Sequence, residues 1–362
     1  MLNKFLLTRA LSCYISKNMG YSFSLPLSVV FAITLKCNSK CKTCFIWKNP
    51  QNQDNELTVD EYKRIFQSMG RLYWVTFGGG EPFLRGDFVQ IILDACRFLK
   101  PAIVNIPSNG SRPQEIFDVM DKVTQRYPET KFILNLSLDH IAEKHDMIRG
   151  MQGSFDLACK TINDLSMIKR RNFNLGVHTV ISKYNLNDFP FIYEWISKNL
   201  SQDSYIIENA QVREEYMNHN EAFFSQKSDY AKAIEFYLNS IKKVKMLGIN
   251  KLRRAFRITY YESVLKSLLS ASRPYDCYAG YASCQVSPDG EVLACATKGL
   301  SLGNLREFQY NLKILLRTKE AKKVRLRIKR EKCFCNLSNV SYSNILFNPG
   351  KLVASIYNYV RY

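Results

Sequence analysis

The sequence predicts an α/β fold, a TIM-like partial (β/α)6 barrel followed by a small C-terminal unit. Six β-branched runs alternate with helical patterns, and polar motifs follow the ends of these runs. Such alternation is typical of right-handed parallel β/α units, which keep their functional loops at the C-terminal ends of the strands. The predicted strands are 28–34, 74–77, 103–106, 132–138, 174–181 and 204–208.

The helices between the strands are identified by their apolar periodicity and their capping residues. The first begins at Thr58, because Thr58 and Glu61 have the spacing of a capping box, in which each side chain satisfies a backbone donor. We expect the further helices to span 87–98, 113–126, 155–171, 188–200 and 228–248, with a basic helical bridge over 251–275.

The two ends of the chain mix aromatic, aliphatic and basic residues. Each end fits either an interfacial amphipathic helix or a helix that caps the open barrel. The predicted units are an N-terminal amphipathic segment at 1–27, the barrel at 28–215, a helical bridge at 216–275, a small cysteine-containing unit at 276–340 and an aromatic and basic tail at 341–362.

The composition is that of an ordinary globular protein with a formal net charge of +19. Such a charge attracts nucleic acid, anionic lipid or an acidic substrate, or it belongs to solvated helix faces. Charged residues interrupt the N-terminal apolar positions and no cleavage site follows, so a signal peptide is not predicted. No apolar run reaches the roughly 18 residues of a spanning helix. We therefore expect a cytoplasmic protein, with peripheral association at the inner membrane surface as an alternative.

Cys37, Cys41 and Cys44 form a C-x3-C-x2-C motif in the loop after the first strand. Three thiolates on one loop can hold three irons of a cubane cluster and leave the fourth iron open. A zinc site would need a fourth ligand nearby, and no His or Cys lies within the next fifty residues. A disulfide framework is disfavoured, because the three cysteines are very close together in a long chain.

Together with the motifs that follow the next strands, this triplet resembles the radical S-adenosylmethionine (SAM) superfamily over residues 28 to about 210, although Thr43 replaces the aromatic residue often found before the third cysteine. The resemblance implies a [4Fe–4S] cluster on Cys37, Cys41 and Cys44. It also implies that SAM is bound by Gly79, Gly80, Glu81, Asn109, Ser137, Asp139 and Arg149.

The resemblance also implies which part of SAM each motif would bind. The Gly-Gly-Glu motif ending at Glu81 would bind the SAM amine through its backbone and carboxylate, Arg149 would bind the SAM carboxylate, and the end of the fourth strand would contact the ribose. One electron from the reduced cluster, from a donor such as ferredoxin or flavodoxin, would cleave SAM to a 5′-deoxyadenosyl radical that abstracts hydrogen from a substrate. No further catalytic residue is assigned.

A second cysteine group begins with Cys277 and Cys295, which frame Gly290 in the pattern C-x12-G-x4-C. This pattern resembles the opening of the SPASM and twitch extensions of radical SAM enzymes and implies a second, auxiliary [4Fe–4S] cluster. Its implied ligands are Cys277, Cys295, Cys333 and Cys335. The C-x-C pair departs from the usual C-x2-C, so Cys284 stands as a substitute ligand. A zinc site and a fold without a cluster are the alternatives.

The substrate is not identified by the sequence. Glu208, Gln211, Arg213 and Glu214 follow the sixth strand and are candidates for substrate contacts, or they form a charged loop in water. Fewer than thirty residues precede the barrel, so a precursor-recognition domain is not expected there. The substrate classes are a lipid or glycoconjugate, a peptide or protein, and, less favoured, RNA. An iron–sulfur scaffold or electron-transfer protein without SAM chemistry is the non-enzyme alternative.

Overall fold

The computed structural model describes residues 4–49, 55–218, 223, 227–270, 272–331, 333 and 335–362. Residues 1–3 of the predicted N-terminal segment, and residues 219–222, 224–226 and 271 of the predicted bridge, therefore lie outside the described part. The strands are β1 (Ser28–Thr34), β2 (Trp74–Gly79), β3 (Ile103–Ser108), β4 (Lys131–Ser137), β5 (Phe173–Ile181), β6 (Ser204–Asn209), β7 (Ser283–Val286), β8 (Glu291–Cys295) and β9 (Leu300–Asn304).

The nine strands of the described residues form one sheet in the order β6-β5-β4-β3-β2-β1-β7-β8-β9. The first six are parallel neighbours, as the sequence predicts. Beyond β1 the sheet continues into the C-terminal region, because β7 pairs parallel to β1 and β8 and β9 follow as an antiparallel meander. The C-terminal unit thus extends the barrel sheet, and the predicted boundaries at 215 and 276 stay predictions.

The helices are α1 (Lys4–Met19), α2 (Val59–Met69), α3 (Phe88–Leu99), α4 (Pro113–Arg126), α5 (Ala142–Arg149), α6 (Ser154–Leu165), α7 (Phe189–Asn199), α8 (Lys227–Lys243), α9 (Gly248–Ser270), α10 (Leu312–Leu315), α11 (Lys319–Arg330), α12 (Ser338–Leu346) and α13 (Pro349–Arg361). In this structure no described helix is both long enough and apolar enough to span a bilayer.

Three of the predicted helix boundaries are wrong. The helical bridge expected over 251–275 ends at Ser270, after which the described residues 272–275 are not helical. The helix expected to reach residue 171 ends at Leu165, and the chain then turns so that Asn172 donates to the carbonyls of Thr124 and Tyr127 at the end of α4. The helix expected over 228–248 ends at Lys243, and α9 begins at Gly248, whose φ of +56° breaks the helical path.

Side chains on one face of β1 lie in the hydrophobic core, and those on the other face line the cavity inside the barrel. Val29, Phe31 and Ile33 are buried between the sheet and the helices, where the ring of Phe31 contacts the ring of Phe66. Val30 and Ala32, on the opposite side, line the barrel cavity. This division follows from the two-residue period of a strand. Each fully buried aliphatic or aromatic side chain stabilises the fold by about 1.5–3 kcal/mol.

The capping box of α2 also joins the barrel to the C-terminal region. Thr58 N–H donates to Glu61 Oε2 at 2.8 Å, and Glu61 N–H donates to Thr58 Oγ1 at 3.3 Å, as predicted. Glu61 Oε1 accepts further hydrogen bonds from Arg306 Nε at 2.8 Å and Tyr310 OH at 2.9 Å. The hydrogen bond from Arg306 is the main reason why the pKa of Glu61 falls to about 2.

Candidate functional site

The first cysteine triplet lies in the loop that leaves the C-terminal end of β1, called here the cluster loop (residues 35–45). Cys37, Cys41 and Cys44 all line a cavity of about 1220 Å³ inside the barrel. Cys41 is buried and the other two are partly exposed to the cavity. The three thiols are close enough for the charge of one to affect the ionisation of another.

The three thiols share one side of the cavity and are largely shielded from solvent. Among the described residues, no group of three or more His, Cys, Asp or Glu side chains is arranged to hold a single metal ion. Burial raises the pKa of Cys37 to about 11 and that of Cys44 to about 12. Loading the site therefore displaces protons from the thiols.

Gly79 and Gly80 let the β2 loop lie directly against the cluster loop. A Cβ on Gly79, which has a φ of +111°, would stand 2.1 Å from the carbonyl oxygen of Thr34. A Cβ on Gly80 would stand 2.0 Å from that of Lys36. In place of side chains, Gly80 N–H donates to Thr34 O and Glu81 N–H donates to Lys36 O, both at 2.8 Å. The glycines thus position the backbone that leads into Cys37.

Asn109, at the end of β3, binds the cluster loop from the side. Its Nδ2 donates to Asn38 Oδ1 at 2.8 Å and to Ser39 Oγ at 3.0 Å. Its Oδ1 accepts from Ser111 N–H at 2.9 Å, and Ser111 Oγ accepts from Asn38 Nδ2 at 2.8 Å. The structure therefore gives Asn109 a structural task in addition to the predicted contact with SAM, which stays a prediction.

Glu81 is buried between the loops after β2 and β3. Its carboxylate accepts from Asn109 N–H at 2.7 Å, Ser108 OH at 2.9 Å and Phe83 N–H at 3.2 Å. Burial raises the pKa of Glu81, although these three donors and Arg149 oppose that shift. Glu81 lines the cavity, but most of its acceptor capacity is already used within the protein. Its predicted hydrogen bond to the SAM amine stays a prediction.

Arg149 and Asp139 form a buried ion pair beside the cysteines. Arg149 Nη1 lies 3.1 Å from Asp139 Oδ2, and Asp139 Oδ1 accepts from Val180 N–H at 2.8 Å. Arg149 lines the cavity, and the negative charges of Cys41 and Asp139 raise its pKa despite burial. Its positive charge can thus stabilise thiolates or a carboxylate at this place. Ser137 also lines the cavity, at the end of β4.

The remaining contacts of the cluster loop come from residues that the sequence analysis did not find. Lys42 N–H donates to Ile148 O at 2.9 Å, which brings α5, itself not predicted, against the loop. Asn218 Nδ2 donates to Thr43 O at 3.0 Å. A lone Asn in a loop carries no sequence signal for such a role. The Gly that ends α5 was a usable signal, since left-handed glycines commonly end helices.

The second cysteine group also gathers around the cavity. Cys277, Cys295, Cys333 and Cys335 all line it, from the chain before β7, the end of β8 and the segment after α11. Burial raises the pKa of Cys277 to about 12 and that of Cys295 to about 11, and the charge of Cys335 adds to both shifts. The structure thus brings together the four thiols that the sequence proposed as one ligand set.

Arg273 faces this second group from the end of the bridge. Its Nη2 lies 2.9 Å from Cys333 Sγ, and its Nε donates to Cys333 O at 2.8 Å. Cys284 is placed differently, within β7. Burial alone raises the pKa of Cys284 to about 12, with no contribution from another thiol. Cys284 also lines the cavity, and its role as a substitute ligand stays a prediction.

The substrate candidates lie between the two cysteine groups, and all four line the cavity. Glu208 Oε2 is 3.8 Å from Arg213 Nη2 and 3.7 Å from His178 Nε2, and its Oε1 accepts from Ser338 N–H at 3.0 Å. Burial acts to raise the pKa of Glu208, but the charges of His178 and Arg213 hold it below its ordinary value. Gln211 donates to Asn209 Oδ1, whereas Glu214 is exposed at the rim.

The fold and the site define a class of protein, one with a partial β/α barrel and a thiol-bearing loop at the C-terminal end of its first strand. The comparisons with known proteins identify the family. Residues 31–196 match the Radical SAM superfamily, and residues 277–337 match SPASM, an iron-sulfur cluster-binding domain. The chain thus contains a radical SAM domain and a SPASM domain. These families imply a [4Fe–4S] cluster, SAM and auxiliary iron–sulfur ligation.

Two curated relatives show the range of similar proteins. The chain is 27% identical to Fe-coproporphyrin III synthase of Methanosarcina barkeri over 173 residues, which are 47% of this chain and 41% of the relative. It is 26% identical to the antilisterial bacteriocin subtilosin biosynthesis protein AlbA of Bacillus subtilis over 305 residues, which are 80% of this chain and 59% of the relative. The chain thus spans about half the length of these relatives.

A solved structure confirms the fold. Streptococcus suis SuiB bound to the precursor peptide SuiA superimposes with a TM-score of 0.64 and 17% identity, covering 96% of this chain and 80% of SuiB. At that identity the likeness shows the architecture alone.

Proposed function

We propose that the protein is a radical SAM enzyme with two clusters that face one substrate cavity. The observation that carries this proposal is the cavity itself, which is lined by Cys37, Cys41 and Cys44 and also by the four thiols of the second group. When bound and reduced, such a cluster would supply one electron that breaks a carbon–sulfur bond of SAM, giving methionine and a 5′-deoxyadenosyl radical that would take a hydrogen atom from the substrate.

The chain's own residues would hold and aim these groups. The three thiols of the cluster loop would bind the first cluster, and Arg149 would balance negative charge beside it. Val30, Ala32 and Val180 line the cavity with apolar surface, which keeps water away from a reactive intermediate. The second cluster would be bound by Cys277, Cys295, Cys333 and Cys335, with Arg273 as a donor to a ligating sulfur.

Polar groups in the barrel interior would orient the substrate. His178 Nε2 has no hydrogen-bond partner among the described residues, although Glu208 is close. Asn135 Oδ1 is in the same state, while Asn135 Nδ2 donates to Asn105 Oδ1 at 2.7 Å. Both residues line the cavity, and buried polar groups with unused hydrogen-bonding capacity are suited to help orient a polar ligand. Glu208 and Arg213 would add a carboxylate and a guanidinium to this surface.

The substrate belongs to one of two classes. A peptide or protein is supported by the similarity to AlbA, named for bacteriocin biosynthesis, and to SuiB, which was solved with a precursor peptide. A lipid or glycoconjugate is supported by the apolar and basic ends of the chain. A ferredoxin or flavodoxin as electron donor, and peripheral association with the inner membrane surface, are further parts of the proposal.

The proposal is tested by anaerobic reconstitution with iron and sulfide, followed by dithionite and SAM. We expect 5′-deoxyadenosine from the wild type and none from the variant in which Cys37, Cys41 and Cys44 are replaced by alanine. Cys159→Ala is the matched control, since Cys159 lies on α6 and does not line the cavity. Equal product from the triple variant would contradict the proposal.

A further inference from the structure

The cavity extends through the barrel from one end to the other. At the C-terminal ends of the strands it is lined by Gly80 and Ser108, and at the opposite ends by Ser28, Trp74 and Ser204. A closed β/α barrel is filled by layers of side chains and has no such passage. This barrel therefore has a second mouth at the N-terminal ends of its strands.

Three segments from distant parts of the chain surround this second mouth. They are α1, the corner between α8 and α9 (residues 242–257), and the C-terminal region with α13. The surface that they form is called here the lower face. Each contributes to the lining of the mouth or packs beside it. The lining residues include Leu6 of α1, Val244, Ile249 and Leu252 of the corner, and Leu346 just before α13.

Helix α1 is apolar on two sides. The inner side of α1 packs against the barrel through Leu6, Ala10 and Cys13. Large apolar side chains on the outer side are exposed at the spacing of a helical stripe; they are Leu7, Leu11, Tyr14 and Ile15. No described residue covers this stripe.

Helix α13 also exposes an apolar outer side. Its inner side is polar and binds α9, where Ser355 Oγ and Asn358 Nδ2 both donate to Thr259 Oγ1. Its outer side exposes Val353, Ile356, Tyr357 and Val360, again at helical spacing. Lys251 lies 5.1 Å from the ring of Tyr359, so the end of α13 adjoins the corner. Helix α13 and the corner thus form one continuous surface.

The corner between α8 and α9 carries the most exposed large apolar side chain of the described residues. The side chain of Leu247 is 88% exposed and that of Ile249 is 60% exposed. Exposed Lys243, Lys245 and Arg253 flank them. Most of the exposed large apolar side chains in the described part of the chain lie on the lower face. A concentration of this kind marks an interaction surface.

The three segments of the lower face carry only positive charge, and the neighbouring carboxylates of Asp276 and Glu262 are paired with Lys17 and Lys242. No Asp or Glu occurs in residues 4–19, 242–257 or 335–362, although the chain has 32 acidic residues. A second copy of the chain on this surface would bring cations against cations, which is unfavourable. An anionic bilayer satisfies both properties, because its headgroups attract the Lys and Arg side chains and its acyl region takes up the apolar ones.

We propose that the lower face docks on an anionic membrane surface, so that the second mouth of the barrel opens toward the acyl region. Resting on the proposed function, this arrangement assigns the substrate to the lipid class: its apolar chain enters the barrel from below, and its polar end reaches the cluster loop. The apolar chain of the lipid would pass Trp74 on its way to the cluster loop.

Vesicle binding by the cluster-loaded full chain, without SAM or reductant, tests the docking. We expect co-sedimentation with phosphatidylglycerol vesicles at least about tenfold tighter than with phosphatidylcholine vesicles, and weaker binding at high salt. Leu247→Asp combined with Ile356→Asp should reduce binding at least about tenfold, since both anchors lose their apolar surface. Neither residue lines the cavity, so 5′-deoxyadenosine formation without substrate should persist.

Met167→Asp combined with Phe191→Asp is the control, because these side chains are 65% and 59% exposed outside the lower face. The control should bind vesicles like the wild type. Equal binding by the lower-face variant and the wild type, or no binding by the wild type, would overturn the docking. A dimer that the lower-face variant dissociates, without vesicle binding, would also overturn it and make this face an interface between copies.

Fluorescence tests the entry of the apolar chain. Phosphatidylglycerol with brominated acyl chains should quench the part of the emission that Trp74→Phe removes. Quenching of Trp74 supports entry through the second mouth. Vesicle binding without this quenching would overturn the entry and the assignment of a lipid substrate. Because neither assay depends on SAM cleavage, their failure is distinguishable from failure of the proposed radical chemistry.

Discussion

Replacing Glu81 by alanine separates two roles that its buried carboxylate can have. In the structure this carboxylate accepts hydrogen bonds from Phe83 N–H, Ser108 OH and Asn109 N–H. The resemblance to the family implies in addition that it binds the SAM amine. The first role concerns the stability of the loops after β2 and β3, whereas the second concerns ligand affinity.

The structure sets the size of the first effect. Hydrogen bonds to a charged group contribute about 1.5–3 kcal/mol each, and a buried donor left without a partner costs about 1–3 kcal/mol. Three donors lose their acceptor in Glu81→Ala. Because the bonds of one network are not additive, we expect the free energy of unfolding to fall by about 3–5 kcal/mol. Asn109 would also be held less firmly, so the cluster loop should retain less iron.

Urea unfolding, iron per chain after gel filtration and calorimetric SAM binding distinguish the two roles. Glu115→Ala on α4 is the control, because its side chain is exposed and its salt bridge with Arg112 is a surface pair worth at most about 1 kcal/mol. A structural role for the carboxylate is ruled out if Glu81→Ala unfolds within about 1 kcal/mol of the wild type, keeps its iron and binds SAM ten- to a hundredfold more weakly, as the loss of one charge-assisted hydrogen bond predicts.

Three further predictions concern the two cysteine groups and the joint between barrel and C-terminal region. Gly80→Ala should lose iron, because its Cβ would collide with the carbonyl of Lys36, whereas Gly86→Ala should keep it, since nothing lies within 4 Å of that Cβ; equal iron in both variants would contradict this. Alanine at 277, 295, 333 and 335 should lower the iron content from about eight to about four per chain, and so should alanine at 37, 41 and 44. If the variant without the first triplet holds zinc or no metal, the prediction of an auxiliary cluster is wrong. Arg306→Ala should lower stability at neutral pH by about 2 kcal/mol. The depressed pKa of Glu61 stabilises the folded wild type at pH values above 4.5, the ordinary pKa of a glutamate, and this stabilisation is lost as the pH falls through about 2. The difference in the free energy of unfolding between Arg306→Ala and the wild type should therefore shrink between pH 4.5 and about 2. Urea midpoints of the variant and the wild type that stay equally far apart at every pH would argue against stabilisation through the pKa of Glu61.

Local sequence signals were sufficient to predict the barrel. The strands were recognised because their β-branched runs are interrupted by Gly, Asn and Ser at the points where the chain leaves the sheet. Thr58 was recognised as a helix start because the capping box is a short-range pattern, and the structure confirms both of its hydrogen bonds. The cysteine loop is also local, which is why its three thiols could be grouped without a structure.

The remaining features depend on contacts between distant residues. The hydrogen bond from Asn218 to Thr43 O and the pairing of β7 with β1 have no sequence signal, since neither segment carries a pattern that names its partner. The turn between α8 and α9 was missed because Val244, Met246 and Leu247 continue the apolar periodicity of a helix. The side-chain partners of Glu81 and Asn109 were missed because a motif indicates residue type but not the direction of its hydrogen bonds.

The pairing of β1 with β7 has a consequence for how the chain folds. Strand β1 is synthesised early, yet one of its two hydrogen-bonding edges is satisfied only by residues 283–286, about 250 positions later. Until then, an apolar strand with an open edge is exposed, and such edges readily pair with other chains. Pairing over so long a separation is also slow to form. Damage that loosens the C-terminal region, such as oxidation of its thiols, would uncover this edge and promote aggregation of an otherwise intact barrel.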